Sequence, residues 1–591
     1  MPATTTPRGT RRGSPQLRLR VGFLVIAIAL SVFGARLVQL QGLDPNSYAQ
    51  MAAAENLHRV DLPAERGDIV DRNGEPLADS VAGMMLIADP KLTGAHAAEL
   101  AAFLYKRLDI DYASTLAKLR EHKVDGTEVR FEYIARRVPS TIATDIMDEA
   151  KSRGFKGLDT ERDPVRDYPA DDVAANLVGF IGTDEPLAGF ERTFDKQLSG
   201  KDGSARYEVG GGNRIPLGES TVKEPVDGKP LQTTLDLDLQ WYAQRVLQQT
   251  VEDSRADSGF AIVMDTRSGG LLAVADGPTY DANDPTASPK ADLGSRALQD
   301  VYEPGSVEKV LTMSSLIDLG VVSPRTRIVV PGQLRREDRP INDWWQHGTI
   351  PLTLAGVIAK SSNIGTVLAA DKFKQGQLYT YLQKFGLGQK TDVGVRGETS
   401  GLLPAGSTWT HQMQDRIAFG QSVSVNGVQM AAAINTIANG GVRVSPSLIE
   451  GSATTDDGVP VGTDHATRKR VVSAKAATQT MRMMERVIDP EVGVAPGAAV
   501  AGYRVAGKTG TAQRVGAECG CYDGTDTVSF AGFAPADDPR FTIYVVVQNP
   551  RNGGGGGSVA GPAFSKIMSY ALRRYAVPPT GTQPSQLPVE W

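Results

Sequence analysis

One apolar run stands apart from the rest of the chain. VGFLVIAIALSVFGARLVQLQG, Val21 to Gly42, is uncharged and apolar but for Ser31 from Val21 to Ala35, and the run extends to Leu40 if Arg36 snorkels. About twenty such residues are just enough to cross a bilayer. Beyond it the pattern changes to short segments. PNSYAQMAAAENLHRV reads as a helix leading away from the run. ERGDIVDRNGEPLA reads as strand, turn, strand, with Asn73-Gly74 as the hairpin signal. AHAAELAAFLYKRL is an amphipathic helix, and the polar, glycine-rich YEVGGGNRIPLGESTVKEPVDGKP reads as a connector.

A second region opens with LQTTLDLDLQWYAQRVLQQTVEDS, a strand running into a helix. SGFAIVMDTRSGGLLAVAD follows as a hairpin, Phe260 to Met264 and Leu271 to Ala275, turning at Arg267 to Gly270. A mainly helical stretch occupies Gly305 to Gly440 before strands return in YRVAGKTGTAQ, VSFAGFAP and FTIYVVVQNP. A glycine run expected to be mobile, Gly553 to Gly557, precedes a last helix, AGPAFSKIMSYALRRY. Late strands must rejoin early ones, so the expected class is α+β: an antiparallel sheet covered by helices, with a helical lobe inserted. The expected divisions are a basic tail (1–20), a membrane anchor (21–41), an N-terminal α+β domain (42–226), a C-terminal domain (227–577) and a disordered Pro-rich tail (578–591).

Composition narrows the function. A chain of 591 residues, 41% hydrophobic, holds more than one large unit, and a net charge of -5 without a basic stripe argues against nucleic-acid binding. The six histidines are scattered singly with no ligand spacing, so neither a metal nor another cofactor is expected. The two cysteines, Cys519 and Cys521, exclude a disulfide scaffold and leave open whether they are bridged. Five arginines and no acid precede the apolar run, which places the N-terminus in the cytoplasm and the rest outside. A cleaved signal peptide is the rival reading, but Phe33, Arg36 and Leu37 crowd its cleavage site.

The candidate chemistry begins in YEPGSVEKVLTMSSLIDLG. Ser306 stands where a helix N-cap is expected, and Lys309 stands one turn on, where a cation opposes the helix dipole. Residues three apart share a helix face, so the amine can reach the hydroxyl, and a neutral lysine can take its proton. Burial, the helix N-terminus and nearby cations such as Lys508 all favour the neutral form. Ser361-Ser362-Asn363 and Lys508-Thr509-Gly510-Thr511 follow in order, the second on a strand. Each motif alone is weak: Ser220 to Lys223 is another S-x-x-K and Ser424 to Asn426 another S-x-N. The ordered set is far more specific.

That set, with RGDIVDRNG, RDYP, GFERTFDKQLSG and ARLVQLQ, resembles the class B penicillin-binding proteins, and within them the division-specific branch of an actinobacterium. The resemblance implies a penicillin-binding/β-lactamase-like transpeptidase domain on a non-catalytic pedestal of the dimerisation type, held by one membrane anchor. It implies a peptidoglycan D,D-transpeptidase that cross-links stem peptides at the septum and is acylated by β-lactams at Ser306. Ser306, Lys309, Ser361 and Lys508 would be catalytic, with the Ser306 and Thr511 amides as oxyanion hole. Asn363, Thr509, Gly510 and Thr511 would bind substrate, Gly510 keeping the strand clear. A glycan polymerase of the SEDS family and other divisome proteins are the implied partners. The alternative is a β-lactam sensor or non-catalytic scaffold that keeps the fold. The family usually has an apolar or aromatic residue where this chain has Glu308, which would either pair with Lys309 or point away into the lobe. GSRAL also stands where Asn-Arg-Ala is usual.

Overall fold

The computed structural model describes residues 15–39, 57–124, 126–182, 185–210, 213–214, 220–337, 339–516 and 520–591. They form two compact units, one from residues 1–64 with 201–226 and one from 65–200 with 227–591. The segment 42–226, expected as one domain, is therefore shared between the two.

In the smaller unit the apolar run is a 24-residue helix, Pro15–Val38, with no buried residue. It starts six residues earlier than the expected span, inside the segment expected to be a basic tail. A helix bonds its own backbone, and this one fits a single-pass anchor. The helical pattern placed on 45–60 falls mostly on residues outside those described, and its end is a strand, Leu57–Leu62. That strand pairs antiparallel with Gly203–Gly210, which also pairs with Ser220–Lys223. The segment read as a connector thus contains a β-ribbon. Its glycines hid the alternation of Ala205, Tyr207 and Val209 with Ser204, Arg206 and Glu208.

In the larger unit, residues 83–162 build a head with its own core. Strand Gly83–Ala88 lies between Glu132–Pro139 and Leu158–Arg162, and helices Ala97–Leu108 and Ser140–Ser152 cover it. Below the head, three of the motifs that carried the resemblance converge. The fully buried Glu191 accepts from Arg66 Nε at 2.6 Å and Arg166 Nε at 2.7 Å. The Asn73-Gly74 turn closes as expected, with the Asp71 carboxylate accepting from Asn73 N and Glu75 N and Gly74 at φ 92°. Ile69–Val70 then pairs parallel with Leu231–Gln232, which joins this base to the C-terminal part.

The C-terminal part is built on five strands: β1 (Ser258–Asp265), β2 (Leu271–Gly277), β3 (Ala506–Val515), β4 (Tyr522–Ala534) and β5 (Phe541–Gln548). Their order is β2-β1-β5-β4-β3, antiparallel throughout, so the late strands rejoin the early hairpin as expected. Every residue of β1, β2 and β5 is buried, which is why these strands read as apolar runs and not as alternation. Helices α1 (Leu237–Ser254), α2 (Lys309–Asp318), α3 (Leu354–Lys360), α4 (Asn363–Ala370), α5 (Gly427–Ala438), α6 (Ala474–Glu485) and α7 (Ala560–Arg574) cover the sheet or fill the inserted lobe. α1 and α7 lie together on one face, where Tyr242 stacks on Tyr570 at 4.2 Å. α5, buried along its whole length, packs on the other.

The C-terminal tail corrects an expectation. Residues 585–591, expected to be disordered, lie against the start of α3: Thr353 N donates to Val589 O at 3.0 Å and Trp591 Nε1 to Leu352 O at 3.1 Å. The prolines prevent helix and sheet but not packing, and Val589 is buried.

Candidate active site

The nucleophile candidate sits on a tight turn and not at a helix cap. Gly305–Val307 is a 3-10 turn in which Glu308 N bonds to Gly305 O at 3.0 Å, and α2 continues from it without a side-chain cap. Ser306 is thus already inside the helical turn, where its hydroxyl does not serve as the expected N-cap. It faces a cavity of about 380 Å³. Gly305 makes this possible: it has φ 55°, and a Cβ there would lie 2.7 Å from Thr511 O on β3.

Lys309 points from the first turn of α2 into the interior with no exposed surface. Its Nζ donates to Ser361 O and to Asn363 Oδ1, both at 2.7 Å. Both bonds run to the Ser361–Asn363 turn and not to Ser306. Burial lowers its pKa to about 7, against the opposing pull of Asp343 and then Glu308. Glu308 is equally buried, and burial holds its carboxyl well above the usual range. Of the two alternatives for this residue, the structure takes the second. Thr312 Oγ1 lies 3.0 Å from both carboxyl oxygens and 2.9 Å from Ala418 O, so Glu308 turns into the lobe. A single hydroxyl proton cannot serve three acceptors, and a protonated Glu308 resolves the conflict by donating to Thr312.

The second motif occupies the break between two helices. α3 ends at Ser361, a non-glycine residue at φ 60°, ψ 38°. Ser362 caps α4 by accepting from Gly365 N at 2.8 Å, and Asn363 is its first residue. Asn363 Nδ2 donates to Asn342 O at 3.0 Å, so both ends of the amide are engaged.

Lys508 approaches from β3, also fully buried, and donates to Ser361 Oγ at 2.8 Å. Burial and then the nearby Lys309 charge hold its pKa well below the usual lysine range. A Cβ at Gly510 would lie 2.2 Å from Ser529 Oγ and 3.1 Å from Pro304 O. The bare position therefore lets β3 close on the nucleophile turn, which differs from the expected role of clearing space for substrate. Thr509 and Thr511 line the cavity with Ser306, Ser361 and Asn363. All eight predicted residues meet here, four hydroxyls lining the cavity in front and the two lysines behind.

The two decoy motifs have structural work. Ser220–Lys223 is a strand of the smaller unit, and Asn426 caps α5 in a capping box with Gln429. Three features escaped the sequence reading. Asp343, between Asn342 and Trp344, accepts from Ser362 Oγ, Asn363 N and Ile364 N, and no fixed spacing pointed to it. Trp344 lines the cavity, its Nε1 donating to Lys360 O at 2.9 Å. The glycine run also lines it: a Cβ at Gly556 would lie 2.1 Å from Ser529 O, so the run is packed against β4. Cys521 is disulfide-bonded, while Cys519 lies outside the described residues. Among the described residues no group of acids, histidines and cysteines could hold a metal ion.

Comparison with known proteins agrees along nearly the whole chain. The penicillin binding protein transpeptidase domain matches residues 259–569, and the penicillin-binding protein dimerisation domain matches residues 61–186. Penicillin-binding protein PbpB of Mycolicibacterium smegmatis is 35% identical over 96% of this chain and 92% of its own length. Peptidoglycan D,D-transpeptidase FtsI of Escherichia coli is 31% identical over 94% of this chain and 91% of its own. Penicillin binding protein 3 of Mycobacterium tuberculosis, solved with aztreonam, superposes with a TM-score of 0.68 at 31% identity, over 90% of this chain and all of that one. A peptidoglycan synthetase of Bifidobacterium adolescentis gives 0.71 at 30% identity with the same coverage. With the serine, the two buried lysines and the Ser361–Asn363 turn assembled in one cavity on a matching scaffold, the chain belongs to the class B penicillin-binding proteins, with a dimerisation-type region followed by a transpeptidase domain.

Proposed function

We propose that this chain is the peptidoglycan D,D-transpeptidase of septal wall synthesis and that Ser306 is its nucleophile. The observation that carries the reading is a pair of fully buried lysines, Lys309 and Lys508, meeting at Ser361 beside the cavity that Ser306 faces. Lys309, neutral above about pH 7, takes the Ser306 proton as Oγ attacks the carbonyl between two terminal D-alanines of a stem peptide. The amide bond then breaks. Ser361, hydrogen-bonded to Lys508, passes a proton to the departing D-alanine amine, leaving an ester on Ser306. An amine of a neighbouring stem peptide attacks that ester, forms the cross-link and restores the serine. The Ser306 and Thr511 amides hold the oxyanion, each worth about 3–4 kcal/mol in comparable sites. Lys508, Thr509 and Thr511 receive the terminal carboxylate, and Asn363, with one N–H beyond its bond to Asn342, meets the donor side chain. A β-lactam imitates the donor and remains as the Ser306 ester.

The five arginines before the apolar run support a cytoplasmic N-terminus and a catalytic part outside. A membrane glycan polymerase of the SEDS family, with other divisome proteins, supplies the strands to be linked. The test is labelling with a fluorescent penicillin. Wild type is expected to label covalently, Ser306→Ala not at all, and Lys309→Ala more slowly by about 10²–10⁴-fold, the usual contribution of a positioned base. Covalent labelling of Ser306→Ala would overturn the assignment.

A further inference from the structure

Asp343 lies outside all three motifs, yet its carboxylate has no exposed surface, and apart from a contact with His347 its hydrogen bonds run to the segment just after Ser361. Oδ1 accepts from Asn363 N at 2.6 Å and from Ile364 N at 3.0 Å, two of the N–H groups left free at the start of α4. Oδ2 accepts from Ser362 Oγ at 2.7 Å. The direction of that bond is fixed, because Ser362 Oγ already accepts from Gly365 N and has one proton to give. His347 Nε2 lies 3.0 Å from the same Oδ2, while its Nδ1 lies 2.6 Å from Gly348 O.

The turn held in this way is the one to which Lys309 donates both of its hydrogen bonds. It also presents Ser361 Oγ to Lys508. We propose that Asp343 is the positioning residue of this site: it fixes the Ser361–Asn363 turn against the two lysines, and its charge sets the pH at which Lys309 becomes the base. The inference rests on Lys309 being that base. The charged and titratable groups around Lys309 are Glu308 on its own helix, Lys508 on β3, and Asp343 with His347 behind it. Glu308 is turned toward Thr312, and Lys508 shares the burial that favours a neutral amine. Among these, Asp343 exerts the largest pull toward the charged lysine, against burial.

The experiment is the pH profile of acylation by a fluorescent penicillin, measured on the full chain. Wild-type rate should fall on the acid side of about pH 7, reaching roughly one-tenth of its plateau at pH 6. Asp343→Asn should lower the plateau by about tenfold to a hundredfold, as expected when reacting groups are misplaced. It should also move the acid limb to lower pH, so that the fraction of its own plateau retained at pH 6 exceeds that of wild type. Ser362→Ala, which loosens the turn and leaves the charge, should lower the plateau without moving the limb. Asp343→Glu keeps the charge and should keep the wild-type limb. An Asp343→Asn limb at the wild-type pH, or an Asp343→Glu limb displaced like that of Asn, overturns the proposal. Wild-type labelling by Lys309→Ala would instead remove the base assignment beneath it. A slow Lys309→Ala combined with an unmoved Asp343→Asn limb defeats the inference alone.

Discussion

Lys309 is held in the folded chain with a pKa near 7, far below a lysine's ordinary value. The unfolded chain therefore binds more protons over that interval, and folding stability gained from this residue rises with pH from about 7 upward. Lys508 contributes with the same sign, since its pKa is also lowered. Glu308 has the opposite sign: its raised pKa gives stability that is present at acid pH and is lost as pH climbs through its folded value. Lys309→Met should remove one proton's worth of the alkaline slope, about 1.4 kcal/mol per pH unit. Thermal midpoints of wild type and variant, compared between pH 7 and 9.5, measure it; an equal rise in both would refute the burial argument. The spacing of Ser306 and Lys309 was legible in the sequence because three residues are one helical turn. The destination of Glu308 was not, because Thr312 and Ala418 meet it only in the folded lobe.

Elements carry the site through close backbone approaches. α3 delivers Ser361 at its C-terminal end, and its own start is clamped by the C-terminal tail. Gly356 sits in the first turn of α3, where a Cβ would lie 2.0 Å from Val589 O. Glycine to alanine inside a helix ordinarily stabilises by about 1 kcal/mol. Here the tail reverses the sign: Gly356→Ala should destabilise the full chain, and should stabilise a chain ending at Gln583, where Val589 is gone. Thermal unfolding of the four proteins forms a cycle, and a stabilising effect in both backgrounds would show that the tail does not bear on α3. The tail's packing escaped the sequence because its prolines break periodicity, while its contacts depend on strand Ile350–Thr353, more than two hundred residues earlier.

At the scale of the molecule, residues 65–200 of the larger unit are held together by buried charge and joined to its C-terminal part by paired strands. Glu191 has no exposed surface and holds Arg66 and Arg166 together; Arg66 also donates to Asp195 Oδ1 at 2.6 Å. Removing one partner of a buried pair leaves an uncompensated charge, so Glu191→Ala should cost about 3–5 kcal/mol. Denaturant unfolding of the full chain checks this, and a loss below 1 kcal/mol would mean that the arginines find other partners. The three motifs that supply these residues were visible in the sequence, but nothing local said that they meet. By itself the sequence determined the apolar helix, the α+β class and the order of strands and helices, because these follow from periodicity and composition, while the eight candidate site residues came from ordered motifs read through a family resemblance. Tertiary structure decided that Ser306 lies in a turn and not at a cap, that Glu308 turns away, that the connector contains a β-ribbon and that Asp343 is bonded to the central turn. These depend on groups far apart in the chain. Their energies come from burial and hydrogen-bond partners that exist only once the sheet has closed.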